Sequence, residues 1–255
     1  MKKSISQHKN LEFWDNMAKN NTGHEVSWWD VNMKKIEVKH IIPYLSRSDI
    51  VLDAGCSNGA STLEICEKVK CHIHGIDYSK KSIAQTKKIK NKLLTFEYAD
   101  IVNYQPGTKY DKIFSIRCLI NIMNEKNQQT ALTNIHKLLK SKGIYIMAEA
   151  FWGGLNNLNK ARKLFNLKPL IEPKYNLYFR EKKFEKFIKN HFKILEIQKY
   201  SSLYYVGTRL FQYLSLNNDP TEKNTKLHRF FADYDFETKN SGDFSPQKIY
   251  ILQKR

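Results

Sequence analysis

A chain of 255 residues with 41% hydrophobic and 27% charged side chains has the composition of an ordinary globular protein, with room for one large domain. The start, Met1-Lys2-Lys3-Ser4-Ile5, lacks the apolar run of a secretory leader, and no stretch approaches the length of a membrane span, so no membrane role is expected. The net charge of +18 raises a nucleic-acid role, but only seven of the 43 basic residues are arginines and the lysines are spread from end to end; this reads as a solvated surface, and no nucleic-acid partner is expected.

In chain order, residues 1–45 read as helical. Leu11, Trp14 and Met17 form one apolar stripe, and Ile36, Val38, Ile41 and Ile42 a second segment that Pro43 helps to end. From residue 49 short strands and helices alternate: a strand over Asp49–Asp53, a helix over Ala60–Lys70, a strand over Cys71–Asp77, and a helix capped by Ser79 and running to about Lys90. Strands follow at Leu93–Tyr98 and Lys112–Ile116, then a helix over Gln128–Leu139 closed by Ser141-Lys142-Gly143, then a strand over Ile144–Ala148. Beyond residue 150, Asn157–Phe165, Glu181–Lys189 and Leu203–Leu216 read as helices, Phe192–Lys199 as a strand, and Gln247–Gln253 as an outer strand. Residues 217–245 are polar and rich in Asn, Asp and Thr, and read as loop or poorly ordered. The rhythm predicts an α/β fold, a doubly wound, mostly parallel sheet of seven strands. It predicts one domain: an N-terminal helical lid (1–45), a ligand-binding core (46–150), a helical elaboration (151–245) and a final strand (246–255). Four cysteines (Cys56, Cys66, Cys71, Cys118) form no C-x-x-C pair and read as reduced thiols in a cytoplasmic protein; the eight histidines lack metal-ligand spacing, so no metal is expected.

The central motif is a strand ending in Asp53, followed by Gly55 and Gly59 and then a helix. Gly55 permits a sharp turn, and Gly59 is expected to let a ligand approach the N–H groups at the helix start. Asp77 ends the next strand, where a carboxylate can accept both hydroxyls of a ribose, and Asp100 closes the third; topology gathers all three acids at one sheet edge. A dinucleotide site would need G-x-G-x-x-G; this chain has G-x-x-x-G preceded by an acid, which repels pyrophosphate and suits an ammonium.

Residues 47–150 resemble the class I S-adenosylmethionine-dependent methyltransferases, with Val51–Gly59 similar to their first motif and Ser57 standing where Gly is common. The resemblance implies a Rossmann-like fold and a cofactor, S-adenosyl-L-methionine (SAM), released as S-adenosyl-L-homocysteine (SAH). It implies that Asp53, Gly55, Cys56, Ser57 and Gly59 surround the methionine portion, and that Asp77, Tyr78 and Ser79 hold the ribose and adenine. Asp100 and Ile101 would read the adenine edge, and Arg117 and Cys118 lie near the sulfonium.

The acceptor side is less legible. No Asn/Asp-Pro-Pro-Tyr follows the fourth strand, and Cys118 follows Arg117, which argues against base-methylating enzymes and a cysteine nucleophile. Arg117–Ile122, Met147–Ala150, Leu155–Asn159 with Arg162, Asn176–Phe179 and Ser202–Arg209 resemble small-molecule methyltransferases of bacterial capsule and surface-polysaccharide clusters, some linked to the O-methyl phosphoramidate group. That resemblance implies O-methylation of a phosphorylated or nucleotide-linked small molecule. Glu149 is the candidate base, with Arg117 and Tyr204 as further catalytic candidates; Trp28, Asn156, Asn159, Arg162, Asn176, Tyr178 and Arg209 are the candidates for gripping an anionic acceptor. Trp14, Trp28 and Trp29 are expected to form a lid, with core packing the alternative for Trp14. An RNA methyltransferase and a non-catalytic SAM-binding protein remain the rival readings, and the sequence leaves the oligomeric state open.

Overall fold

The computed structural model describes residues 5–215, 225–237 and 242–255. Seven strands, β1 (Ile50–Ala54), β2 (His72–Asp77), β3 (Leu94–Tyr98), β4 (Tyr110–Ile116), β5 (Leu139–Ala150), β6 (Phe192–Gln198) and β7 (Gln247–Lys254), form one sheet in the order β3-β2-β1-β4-β5-β7-β6. The pairs among β1 to β5 are parallel, and β7 runs antiparallel to both its neighbours. This is the expected Rossmann-like architecture. Parallel order with crossovers brings the carboxyl ends of β1, β2 and β4 to one edge, which is where the glycine loop sits.

Helices α1 (Gln7–Asn20) and α2 (Val31–Ile41), joined through a 3-10 turn over Gly23–Val26, precede the sheet. Then come α3 (Ala60–Val69), α4 (Lys80–Thr86), α5 (Glu125–Leu138), α6 (Trp152–Leu164) and α7 (Glu181–Ile188). A late helical stretch comprises α8 (Ser202–Val206), a π turn over Gly207–Phe211 and α9 (Gln212–Ser215); α10 (Lys226–Glu237) follows. Side-chain caps set several starts: Ser6 accepts from Lys9 N, Asp30 from Met33 N, Ser79 from Ser82 N, and Asn124 from Lys126 and Asn127 N.

Apolar side chains cover both faces of the sheet. On one, Leu132, Ile135 and Leu138 of α5 and Phe184 and Ile188 of α7 pack on Leu52, Ile113, Tyr145 and Tyr250. On the other, Met33, Ile36 and Ile41 of α2 and Ile65 of α3 pack with Tyr204 and Ala232 on Val51, Phe114, Ile146 and Ile251. Burying each such side chain contributes about 1.5–3 kcal/mol.

Three expectations need correction. The helix before β5 is not closed by Ser141-Lys142-Gly143; it ends at Leu138, and Leu139 already pairs with Tyr110 in the sheet. Lys142 adopts φ 57 within β5, where the register with β4 shifts. The last strand is not an outer one: β7 lies between β5 and β6, with Gln247–Leu252 buried. Finally, the segment 217–245 contains α10; the loop expectation for 217–224 and 238–241, and the helical one for Leu216, lie outside the described residues. α10 escapes a periodicity reading because its pattern is inverted. His228 and Asp235 face inward, with Asp235 accepting from Ser201 N (2.6 Å) and Tyr204 N (3.2 Å), while Phe230 and Tyr234 are exposed.

Gly154 on α6 marks where the late segment meets the sheet end: a Cβ there would collide with the Ser245 carbonyl oxygen. Gly154→Ala is therefore expected to lower stability by about 1–3 kcal/mol through overpacking, although alanine is the better helix former by about 1 kcal/mol. Urea unfolding decides it, and an alanine variant as stable as the parent would refute the packing argument.

Candidate functional site

At the carboxyl edge, three residues within five adopt left-handed backbone: Gly55 (φ 89), Ser57 (φ 51) and Gly59 (φ 79). The bend is pinned from β2. The Ile76 carbonyl accepts from both Gly55 N (2.8 Å) and Cys56 N (2.9 Å). The Asp77 carboxylate then accepts from Ser57 N (2.9 Å) with one oxygen and from Ser79 N (2.8 Å) with the other. Asp53, at the tip of β1, accepts from the Thr62 hydroxyl (2.6 Å). Burial pushes both carboxyls above the usual carboxylate range, Asp53 to about 7 and Asp77 to about 6. A cation arriving at this edge would reverse that cost.

Gly55 lets the turn after β4 approach the bend, since any Cβ there would collide with Cys118 Sγ. Gly59 serves a different purpose from the one expected. A Cβ on it would fall 2.7 Å from Ile89 and 2.8 Å from Phe96, so its bareness lets α3 pack closely while its φ suits the helix start.

Around the bend runs a cleft of three connected chambers. The first, of about 530 Å³, lies between Gly55, Asp77 and Tyr78 on one side and Asp100, Ile101 and Cys118 on the other. The middle one, of about 480 Å³, adds Ser57, Trp14, Ser27 and Arg117. The far one, of about 520 Å³, is aromatic: Phe13 and Trp14 from α1, Trp28 and Trp29, then Tyr175 and Tyr178, with Ser27, Arg117, Asn121, Asn176 and Gln247 as its polar members. Phe13 stacks on Tyr175 with centroids 4.2 Å apart, and α1 is tied across the cleft by buried Asn10, which donates to the carbonyls of Asn121 (2.6 Å) and Tyr175 (3.1 Å). Six buried polar atoms on these walls have no partner: Trp14 Nε1, Tyr78 OH, Arg117 Nη2, Asn121 Oδ1, Asn176 Oδ1 and Gln247 Oε1. Buried polar groups are nearly always satisfied, so their concentration here points to ligand contacts.

Arg117 adopts φ 52 just after β4. Its Nε donates to Glu37 (2.8 Å), its guanidinium lies 4.0 Å above the Trp28 ring, and the same Glu37 pairs with Lys34 at 3.6 Å. Burial pulls Lys34 down to about 8. The turn that carries Arg117 and Cys118 is held by Glu149. One carboxylate oxygen accepts from the Ser115 hydroxyl (2.7 Å) and from Cys118 and Leu119 N (3.0 Å each), the other from Ile120 N (3.2 Å). Glu149 is 0% exposed and lines none of the three chambers, so the expected contact with an acceptor is corrected: it shapes the turn from behind. Burial raises its carboxyl to about 7.

Other sequence candidates divide in the same way. Gly55, Asp77, Tyr78, Asp100, Ile101 and Cys118 face the first chamber, Ser57 and Arg117 the middle one, and Trp28, Asn176 and Tyr178 the far one. Cys56 is packed against Gly75, and Ser79 caps α4 and donates its hydroxyl to Asp15 (2.5 Å); neither faces the cleft, because both are used in bracing the loop. On the acceptor side, Asn156 is solvent-exposed on α6. Asn159 exchanges hydrogen bonds with the Leu170 backbone, and Arg162 donates to the Lys168 and Arg209 carbonyls. Tyr204 OH (2.5 Å) and Arg209 Nη2 (2.6 Å) both converge on buried Asp30 at the start of α2. The last four hold the late helical segment together, and none of the five lines a chamber, which corrects the expected acceptor contacts of Asn156, Asn159, Arg162 and Arg209 and the expected catalytic role of Tyr204. Sequence reasoning missed Phe13, Asn121, Tyr175 and Gln247. The aromatic density of Phe13-Trp14 and Trp28-Trp29 was a usable sign; nothing local marks Gln247. Trp14, for which core packing was the alternative, faces the cleft. Among the described residues no three His, Cys, Asp or Glu side chains are grouped to hold a metal ion, and no helix is long and apolar enough to cross a membrane.

Asp53, Asp77 and Glu149 each hold a proton more tightly folded than unfolded. Between about pH 4 and 7 the folded state thus binds more protons, so their contribution favours folding at the acid end and is lost as pH rises to about 7. Asp53→Asn should flatten that decline in the ligand-free protein. Urea midpoints measured across the window test it; an unaltered slope would count against the buried-carboxyl assignment.

The methyltransferase domain family matches residues 45–172 of the chain. No curated protein matches it in sequence. Similar solved structures include magnesium protoporphyrin IX methyltransferase from Synechocystis PCC 6803 with bound SAM, 12% identical over 100% of both chains with a TM-score of 0.60. N-methyltransferase NodS from Bradyrhizobium japonicum WM9 in complex with SAH is 11% identical, over 96% of this chain and 98% of that one, with a TM-score of 0.57. The [4+2]-cyclase SpnF is 15% identical, over 98% and 97%, with a TM-score of 0.61. At these identities the likeness is one of fold.

Proposed function

The chain belongs to the methyltransferase domain family, and from that premise we propose that it transfers a methyl group from SAM to an anionic small molecule. The observation that carries the reading is Asp77. Its carboxylate is fixed by the N–H groups of Ser57 and Ser79 on the wall of the first chamber, beside Gly55, whose missing Cβ leaves room for the Cys118 side chain on the same wall. The residues present fit the cofactor. Asp77 would take the ribose hydroxyls, Asp100 and Ile101 the adenine edge, and Gly55 and Ser57 the methionine portion, with Asp77 supplying negative charge for a cationic nucleoside; Asp53, buried behind the bend and lining none of the chambers, would act only through its charge. SAM, when bound, supplies an electrophilic methyl carbon on a sulfonium. The chain orients, excludes water and contributes charge: the turn held by Glu149 carries Arg117 and Cys118 to the boundary of the chambers, and α1 roofs the aromatic one.

A chamber walled by the rings of Phe13, Trp14, Trp28, Trp29, Tyr175 and Tyr178 and roofed by α1 suits a small ring-bearing acceptor better than a nucleic-acid strand, and Arg117 suits an anion. The narrower reading, O-methylation of a surface-polysaccharide precursor, draws on five motifs. Of these, Leu155–Asn159 with Arg162 and Ser202–Arg209 serve internal packing, while Arg117–Ile122 and Asn176–Phe179 contribute cleft residues. One fold relative is described as a [4+2]-cyclase, so the fold alone does not carry methyl transfer; the site and the family together support it.

Calorimetry with SAH tests the cofactor assignment. The protein should bind SAH, and Asp77→Ala should weaken binding at least tenfold, about 1.4 kcal/mol, with its melting temperature monitored to exclude unfolding. Absence of heat with the folded parent, or unchanged affinity in the variant, rejects the proposal.

A further inference from the structure

We infer that the atom methylated is an oxygen of an oxyanion, a carboxylate or phosphoryl group, held by Arg117 Nη2 and Trp14 Nε1 where the middle and far chambers meet. The inference rests on the methyltransferase reading above and specifies its acceptor. Four residues, Trp14, Ser27, Arg117 and Asn121, line both chambers, so a methyl group passing from one to the other crosses between them. Two of the four present buried donors without partners, Trp14 Nε1 and Arg117 Nη2; a third, Asn121, presents an unpartnered acceptor, Oδ1, suited to a hydroxyl or N–H of the same molecule and not to its oxyanion. An indole N–H and a guanidinium can only donate, and neither can act as a base at neutral pH. What both require is an atom rich in lone pairs, and the guanidinium prefers one with negative charge.

The arginine is preorganised for that contact. Its side chain is 10% exposed, its Nε is bound to Glu37 and its plane rests on Trp28. The charge count also favours an anion. Lys34 and Arg117 share the single carboxylate of Glu37, with Asp53 acting on Lys34 from the cofactor side. Among the described residues, no Asp, Glu, His or Lys lines the far chamber. The middle chamber's one acid, Asp77, is already engaged by the Ser57 and Ser79 N–H groups and assigned to the ribose, so an ammonium acceptor would meet Arg117 without a free counter-charge and a hydroxyl acceptor would find no free base for its proton. An oxyanion needs neither. A lone pair on its oxygen forms the new C–O bond as the C–S bonding pair passes to sulfur; the products are a methyl ester and a thioether, the two opposite charges cancel, and no proton is released or taken up. Asn176 Oδ1 and Gln247 Oε1, further along the same chamber, would accept from hydroxyl or N–H groups on the rest of the molecule.

The test is calorimetry on the full chain saturated with SAH, titrated with phenylacetate, with phenyl phosphate and with uncharged phenylacetamide. At least one of the anions should bind about tenfold or more tightly than the amide, and the tighter of the two tells carboxylate from phosphoryl. Arg117→Gln should erase the preference. Trp14→Phe, which keeps a ring and loses the N–H, should weaken the anion several-fold. Equal binding of the amide, no binding of either anion, or an anion preference that survives Arg117→Gln overturns the inference. SAH affinity is measured first: its absence in the parent protein strikes the methyltransferase reading, whereas intact SAH binding without an anion preference removes only the oxyanion assignment.

Discussion

The site depends on one buried carboxylate that never touches it. Glu149 reaches from β5 under the end of β4 and gathers the N–H groups of Cys118, Leu119 and Ile120 together with the Ser115 hydroxyl. Arg117 N still donates to Ala148 O (2.8 Å) as though the strand continued, and the chain then breaks left-handed at Arg117 itself. A non-glycine residue at positive φ persists only where its surroundings over-determine it, and here the carboxylate supplies that constraint. One interaction therefore sends Cys118 into the first chamber and Arg117 toward the other two. The same device recurs. Asp77 clamps the glycine loop to the start of α4, Asp30 joins the N-terminus of α2 to Tyr204 and Arg209, and Asp235 holds the start of α8. Buried acids act in this protein as staples between segments, and desolvation is the cost each one carries.

Half of the site was readable from sequence because its determinants are local. The bend requires left-handed residues in a short span, the acids fall at strand ends set by period-two patterning, and parallel order brings the strand ends to one edge. Asp77, Asp100, Gly55 and Cys118 consequently face the chamber that the pattern implied. The acceptor side failed for a physical reason. A polar residue on an apolar helix looks the same in sequence whether it faces a ligand or an internal partner, and for Arg162, Tyr204 and Arg209 the partners are backbone carbonyls and an aspartate about 174–179 positions away. The far chamber itself is assembled from α1, the stretch after the first 3-10 turn, the turn after β4, residues 173–178 and the start of β7. No window along the chain contains more than a fragment of it.

Formal charge and local charge tell different stories here. The chain carries +18, yet the cleft is organised by carboxylates whose burial leaves them reluctant to ionise, and by one arginine half-neutralised by Glu37. A cation on one side and an anion on the other would each offset part of the desolvation cost that these buried charges carry. Lysines on the outer surface add solubility and long-range attraction for anions without entering this local balance.

The placement of β7 bears on how the protein is made. β6 has a single neighbour in the sheet, and that neighbour is translated some fifty residues later, between Gln247 and Lys254. Until it leaves the ribosome, one side of β5 stays unpaired and β6 has nothing to dock on, so the nascent chain displays two unsatisfied strand borders at once. Open borders of that kind are templates for wrong association, and late non-local pairing slows their closure. Completion of the sheet thus waits for β7, and with it the delivery of Gln247 to the far chamber.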